Sequence, residues 1–155
     1  MRKQTVTILL IASFVTGLLS CASSRNAEPS RIGIMPLAEY KVAATQLTAD
    51  TAYRVLRSNE DFNATFAPSI SNARRPDFNS QIVVALLLKE ANTGLQFSKA
   101  EIVEKTVNIY VESCTSSTDE GCMKGSVVMA TIPKAGNVNK VAFYINGSSR
   151  FISGL

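Results

Sequence analysis

No histidine occurs among the 155 residues of this chain, and that absence bounds its chemistry. Ser-His-Asp and Cys-His nucleophile systems are excluded, as is any His-ligated metal. Acid–base work falls to carboxylates. Glu101 and Glu104 stand three apart in a strand-like stretch, so they face opposite sides of it. Glu60 and Asp61 are adjacent at the start of a short helix. Neither pair forms a placed acid–base couple, and both read as solvated charges. The chain has no P-loop, no glycine-rich phosphate cradle and no Asp-rich calcium loop. It also has no Ser-x-x-Lys. The expectation is a non-catalytic protein with no metal and no cofactor other than a covalent lipid, argued below.

Three cysteines remain: Cys21, Cys114 and Cys122. Cys114 and Cys122 flank Thr115-Ser116-Ser117-Thr118-Asp119-Glu120-Gly121, a polar run with turn chemistry. In an oxidising compartment such a pair forms a structural disulfide. Closing so short a loop contributes roughly 2–3 kcal/mol on the chain-entropy model. Metal binding is the weaker alternative, because two thiolates do not fill a tetrahedral site. Redox catalysis normally uses the closer Cys-x-x-Cys spacing.

Cys21 belongs to a different pattern. Arg2 and Lys3 precede Thr5 to Leu19, an uncharged apolar stretch. A basic region, an apolar region and a small residue describe a secretory leader. The stretch is short of the roughly 20 residues that span a bilayer. It ends in Leu18-Leu19-Ser20-Cys21, which resembles the lipobox of bacterial lipoproteins. That resemblance implies cleavage between Ser20 and Cys21 and a lipid on the Cys21 sulfur. Acyl burial contributes about 0.8 kcal/mol per CH₂, and stable attachment takes two or more chains. Ala22 follows the cysteine, and the resemblance implies outer-membrane sorting, since lipoproteins lacking Asp at that position generally go there. The expected location is the bacterial envelope.

Removing Met1 to Ser20 takes away two cations, Arg2 and Lys3, and no acid, so the formal charge of +4 becomes +2. Without a dense basic block, nucleic-acid binding is not expected. Residues 21–30 are small and polar and read as a flexible tether. Residues 31–155 are long enough for one domain.

The elements of that domain read as follows. Arg31 to Pro36 is a short strand ended by proline. Lys41 to Leu47 and Thr51 to Leu56 are β-capable. Ser58 is a helix N-cap, with Glu60 and Asp61 in the first turn and Phe62 and Phe66 on one face. Ala67 to Asn79 is a loop. Gln81 to Leu88 is apolar enough for a strand buried on both faces. Leu95 to Val103, Val107 to Glu112, Ser126 to Ile132 and Val141 to Ile145 are further strands. Val107, Ile109 and Val111 alternate with Asn108, Tyr110 and Glu112, one face to a core and one to water. Asn146-Gly147 ends the last strand. The expected fold is mainly β, a small antiparallel β-sandwich or open barrel with one short helix.

Arg57 to Ile145 resembles the C-terminal domain of PrcB-type protease-complex subunits. The residues that carry the likeness are Glu60-Asp61-Phe62, Pro76-Asp77-Phe78, the apolar strand Gln81 to Leu88, Thr93-Gly94, Val107 to Val111 and Ile132-Pro133-Lys134. Leu95 and Gln96 stand where the family has a second glycine and a tyrosine. A looser similarity is to chagasin-like protease inhibitors. The resemblance implies a membrane-attached, non-catalytic accessory subunit that binds and stabilises a secreted protease, or inhibits one. The candidate contact surfaces are the hairpin Asn92, Thr93, Gly94, Leu95, Gln96 and the cysteine-bounded loop, since turns on a rigid sheet commonly carry recognition. The alternative is a structural or assembly lipoprotein of the outer membrane with no protease connection.

Overall fold

The computed structural model describes residues 28–43, 49–89, 94–115 and 121–155. The leader, Ser20, Cys21, most of the tether, Asn92 and Thr93 lie outside the described residues. In chain order the elements are β1 (Ser30–Ile32), β2 (Met35–Pro36), β3 (Tyr40–Val42), β4 (Thr51–Leu56), α1 (Asn59–Thr65) and β5 (Phe66–Pro68). Then follow β6 (Gln81–Leu88), β7 (Gly94–Val103), β8 (Thr106–Cys114), β9 (Val127–Pro133), β10 (Lys140–Ile145) and β11 (Ser148–Gly154).

Two sheets pack face to face. One has the order β1-β7-β8-β10-β11, the other β2-β9-β6-β4. The mainly β fold with one short helix is the one expected, and it is an open sandwich rather than a closed barrel. Between the sheets lie Ile82, Val84 and Leu86 of β6, Val107, Ile109 and Val111 of β8, and Val141 and Phe143 of β10. A period of two sends the other residues of β6, Val83, Ala85 and Leu87, to the outer face of the second sheet. That face is also covered, so β6 is buried on both sides.

The cover is built by α1 and the β3–β5 ribbon. Ser58 caps α1, its Oγ accepting the Asp61 backbone N–H at 3.1 Å. Within the helix Phe62 turns inward and is 3% exposed. Its ring meets Tyr40 edge-on at 4.9 Å, Phe66 at 5.5 Å and Phe78 at 5.7 Å. A seven-residue helix is too short to be stable alone. This aromatic cluster, seated on Val83, Ala85, Leu87 and Met129, is what holds it.

Four expectations need correction. Arg31 to Pro36 is not one strand: β1 joins the first sheet and β2 the second, with Ile32 and Ile34 reaching the core between them. Ala67 to Asn79 is not all loop, because Ala67 and Pro68 pair with Lys41 and Tyr40 in the β3–β5 ribbon. The first sheet is not wholly antiparallel. β9 crosses to the second sheet, so β10 returns beside β8 in parallel. Finally, Asn146-Gly147 does not end the strands. Both residues have positive φ, 48° and 77°, the requirement of a type I′ hairpin. The turn leads into β11, whose Phe151 stacks on Tyr53 at 5.0 Å.

Candidate functional site

The two loops singled out by sequence leave one end of the sandwich side by side. Gly94, the first residue of β7, pairs with Cys114, the last of β8. Cys114 and Cys122 are joined by a disulfide, their Cα atoms 6.0 Å apart. After the loop, Met123 comes back against β7. The Leu95 N–H donates to the Met123 carbonyl at 3.0 Å, and the Met123 N–H to the Leu95 carbonyl at 2.9 Å. The anchors of 90–93 and of 116–120 are therefore tied to each other covalently and through the ladder.

Glycine is required at 94. A Cβ there would sit 2.7 Å from the Cys114 carbonyl oxygen and 2.9 Å from Cys122 Sγ. The disulfide lies over Gly94 because no side chain is in the way. Leu95 is 4% exposed and belongs to the core. Of the hairpin residues expected to meet a partner, Gly94 and Leu95 thus have structural work. Gln96 is half-buried on β7.

Two more connections reach the same end. The Asn146 side chain of the β10–β11 turn accepts the Ser113 backbone N–H at 2.9 Å and donates to Ser113 Oγ at 3.0 Å. The Lys89 N–H donates to the Asp50 carbonyl at 2.9 Å, tying the start of β4 to the end of β6. Between these connections opens a cleft of about 420 Å³, lined by Asp50, Thr51, Leu88, Lys89, Leu95, Ser113 and Ile145. It offers one carboxylate, one ammonium and an apolar floor.

A second cluster lies on the outer face of the first sheet, and sequence reasoning missed it. Glu101 is 8% exposed, not solvated as expected. Its carboxylate accepts the Tyr110 hydroxyl at 2.6 Å and the Lys99 ammonium at 3.1 Å. The same ammonium stands 4.2 Å from the centre of the Tyr110 ring. Tyr110 in turn stacks on Tyr144 at 5.0 Å. Register explains the grouping. Lys99 is opposite Tyr110 and Glu101 opposite Asn108, so Glu101 and Tyr110 are diagonal neighbours. A bulge at Ser98 sets this alignment, turning Phe97 to the core and Lys99 to the outer face. The alternating pattern of β8 was a sufficient signal for Tyr110, but its partner required the bulge.

The Tyr110 hydrogen bond, more than the Lys99 charge, holds Glu101 below the usual carboxylate range. The same bond pushes Tyr110 up to about 12. At neutral pH this carboxylate is ionised and this phenol protonated, so the pair offers no proton that moves near neutrality. Glu104 lies apart, exposed in the β7–β8 turn with φ of 56°.

Two short motifs are joined by the fold. In Pro76-Asp77-Phe78, the Asp77 carboxylate accepts the Ser80 hydroxyl at 2.6 Å and the Asn79 N–H at 3.0 Å. Those bonds, Ser80 first, lower its pKa. Ile132-Pro133-Lys134 runs alongside. The Lys134 ammonium donates to the Phe78 carbonyl, and the Lys134 N–H to the Ser80 carbonyl at 2.8 Å. Both motifs fasten the loop after β5 to β9.

Among the described residues no three Cys, Asp or Glu side chains converge as metal ligands. No helix among them is long and apolar enough to cross a membrane. No family model, curated protein or solved structure matches the chain.

Proposed function

We propose that this protein is a lipid-anchored envelope module that binds another protein through the disulfide-braced end of its sandwich. The observation that carries the reading is the joining of the two loop anchors: Gly94 lies beneath the Cys114–Cys122 bridge, and Leu95 pairs with Met123. Anchors fixed to each other form a preorganised base, which lowers the cost of binding. The same end holds the cleft between Lys89 and Asp50, large enough for an inserted side chain. The lipobox-like Leu18-Leu19-Ser20-Cys21 supplies the membrane attachment and the envelope address, with outer-membrane sorting from Ala22. The resemblance of Arg57 to Ile145 to protease-complex subunits makes a secreted protease the partner class to test first, with this chain as stabiliser or inhibitor. Catalysis has no part in this reading.

The test is capture of partners from detergent-solubilised envelope. One bait is the native chain. The other has residues 90–93 replaced by a Gly-Ser tetrapeptide, with Gly94 and Leu95 retained so that the ladder and disulfide survive. The expected outcome is a partner retained by the first bait and lost from the second. Identical captures from both baits would remove the loop from the reading. Retention of envelope assembly proteins in place of a protease would favour a structural lipoprotein.

A further inference from the structure

Arg57 follows the last residue of β4, and Lys134 the last of β9. Both strands flank β6, with Leu56 opposite Val83 and Pro133 opposite Gln81. The two cations therefore come together beside the start of β6, at the end of the sandwich away from the disulfide. A second cavity opens there, of about 240 Å³. Its floor is core: Ile82 and Val107 are 4% and 1% exposed. Val138 and Leu155, half-buried against that core, also line it. Backbone bonds fix the rim. The Val138 N–H donates to the Ala135 carbonyl at 3.2 Å, and the Asn139 N–H to the Lys105 carbonyl at 2.9 Å. The Leu155 N–H donates to the Asn139 carbonyl at 2.8 Å. The cavity is thus formed before any ligand arrives, as small-molecule sites usually are.

Charge defines the head of the occupant. No Asp or Glu lines the cavity. Lys99–Glu101 is the one ion pair among the described residues, so neither Arg57 nor Lys134 has a carboxylate partner there. Asp77 feels the Lys134 charge, but its carboxylate is taken by Ser80 and Asn79. The Lys134 ammonium spends one donor on the Phe78 carbonyl and keeps two. The Arg57 guanidinium brings a planar fork that matches a carboxylate. Volume bounds the body of the occupant. A cavity of about 150 Å³ takes a benzene ring, and drug-sized sites begin near about 300 Å³. Between these limits fits one branched aliphatic group, the size of a leucine side chain, together with its carboxylate.

We propose that this cavity binds a small branched-chain carboxylate. The aliphatic body rests on Ile82 and Val107, and the carboxylate lies between Arg57 and Lys134. Two sources carry that chemistry, a free branched-chain acid and the C-terminal leucine of a peptide. The site lies apart from the disulfide-braced end and does not depend on a partner bound there.

The experiment titrates the full chain in detergent with 4-methylpentanoate and with the peptide Ala-Ala-Leu, following backbone amide shifts by residue. Each acid is paired with its amide, which keeps the aliphatic body and lacks the charge. Millimolar binding is expected, the scale for a ligand of about eight non-hydrogen atoms. The amides of Val107, Ala135 and Val138 should move, and the acid that binds more tightly names the source. Its amide should bind about tenfold more weakly or worse, the scale of one lost bond between charged groups. Arg57→Gln, at an exposed position, should weaken the acid by a similar factor and leave the amide unchanged. The inference fails if neither acid binds, if acid and amide bind equally, or if the moving amides lie elsewhere. It fails equally if Arg57→Gln leaves the affinity for the acid unaltered. The comparison of acid with amide on the native chain decides the question even where the variant folds poorly.

Discussion

At the residue scale, Tyr110 and Glu101 show how two ordinary side chains become a structural fastening. A partly buried carboxylate with two donors is stable as the anion. Its pKa lies below the ordinary 4.5 in the folded chain. That stabilisation is present above 4.5 and is lost as pH falls through the lower folded value. Tyr110 works in the opposite direction. Its folded value of about 12 exceeds the ordinary 10.0, so its contribution is whole below 10.0 and disappears as pH rises through about 12. Tyr110→Phe keeps the ring stack on Tyr144 and removes the hydroxyl. We expect a loss of about 1.5–3 kcal/mol near neutral pH, the range for a hydrogen bond to a charged group. We also expect the acid limb of the stability profile to flatten. Urea unfolding of both proteins between pH 3 and 8 measures this, and parallel acid limbs would show that the bond contributes nothing. Gly94 is the other residue-scale lesson. Its place in a strand weakens local β preference, yet the Cys114–Cys122 bridge needs the space.

At the element scale, α1 depends on what it covers. Seven residues with a Ser58 cap do not hold a helix in water. Phe62 does, by filling the space among Tyr40, Phe66 and Phe78. Phe62→Ala is expected to cost about 3–5 kcal/mol, the range for emptying a buried aromatic site. The loss should be uneven. Amides of α1 and β3 should exchange much faster, while those of β8 and β10, in the separate core between the sheets, should change little. Equal acceleration in both groups would mean that the two cores unfold as one. Helix start and the double-sided burial of β6 were legible in the sequence, because each depends on local capping and periodicity; Phe66, expected on the helix face with Phe62, instead opens β5 with φ and ψ of −126° and 145°. The split of Arg31 to Pro36 between two sheets was not legible, because pairing partners lie far along the chain.

At the scale of the whole molecule, the chain divides its cysteines by task. Cys114 and Cys122 brace the folded end, and Cys21 is proposed to hold the lipid. On that proposal, Cys21→Ser removes the sulfur that would carry the lipid. Metabolic labelling with a fatty acid should mark the native protein alone, and the variant should remain as uncleaved precursor. Labelling of both would overturn the assignment to Cys21. On the proposed reading, in which Cys21 serves attachment and the disulfide-braced end serves binding, this variant should still capture its partner once solubilised.

The sequence by itself determined the strand periodicities, the capped helix, the pairing of the two mid-chain cysteines and the absence of histidine chemistry. All of these are short-range or compositional, set by residue type and spacing. The tertiary structure alone decided three things. It placed β10 parallel to β8, it set Tyr110 against Glu101 across a bulge, and it brought Arg57 and Lys134 to one cavity. Each depends on which strand lies beside which. That choice comes from burying two apolar faces at once, and no stretch of the chain encodes it alone.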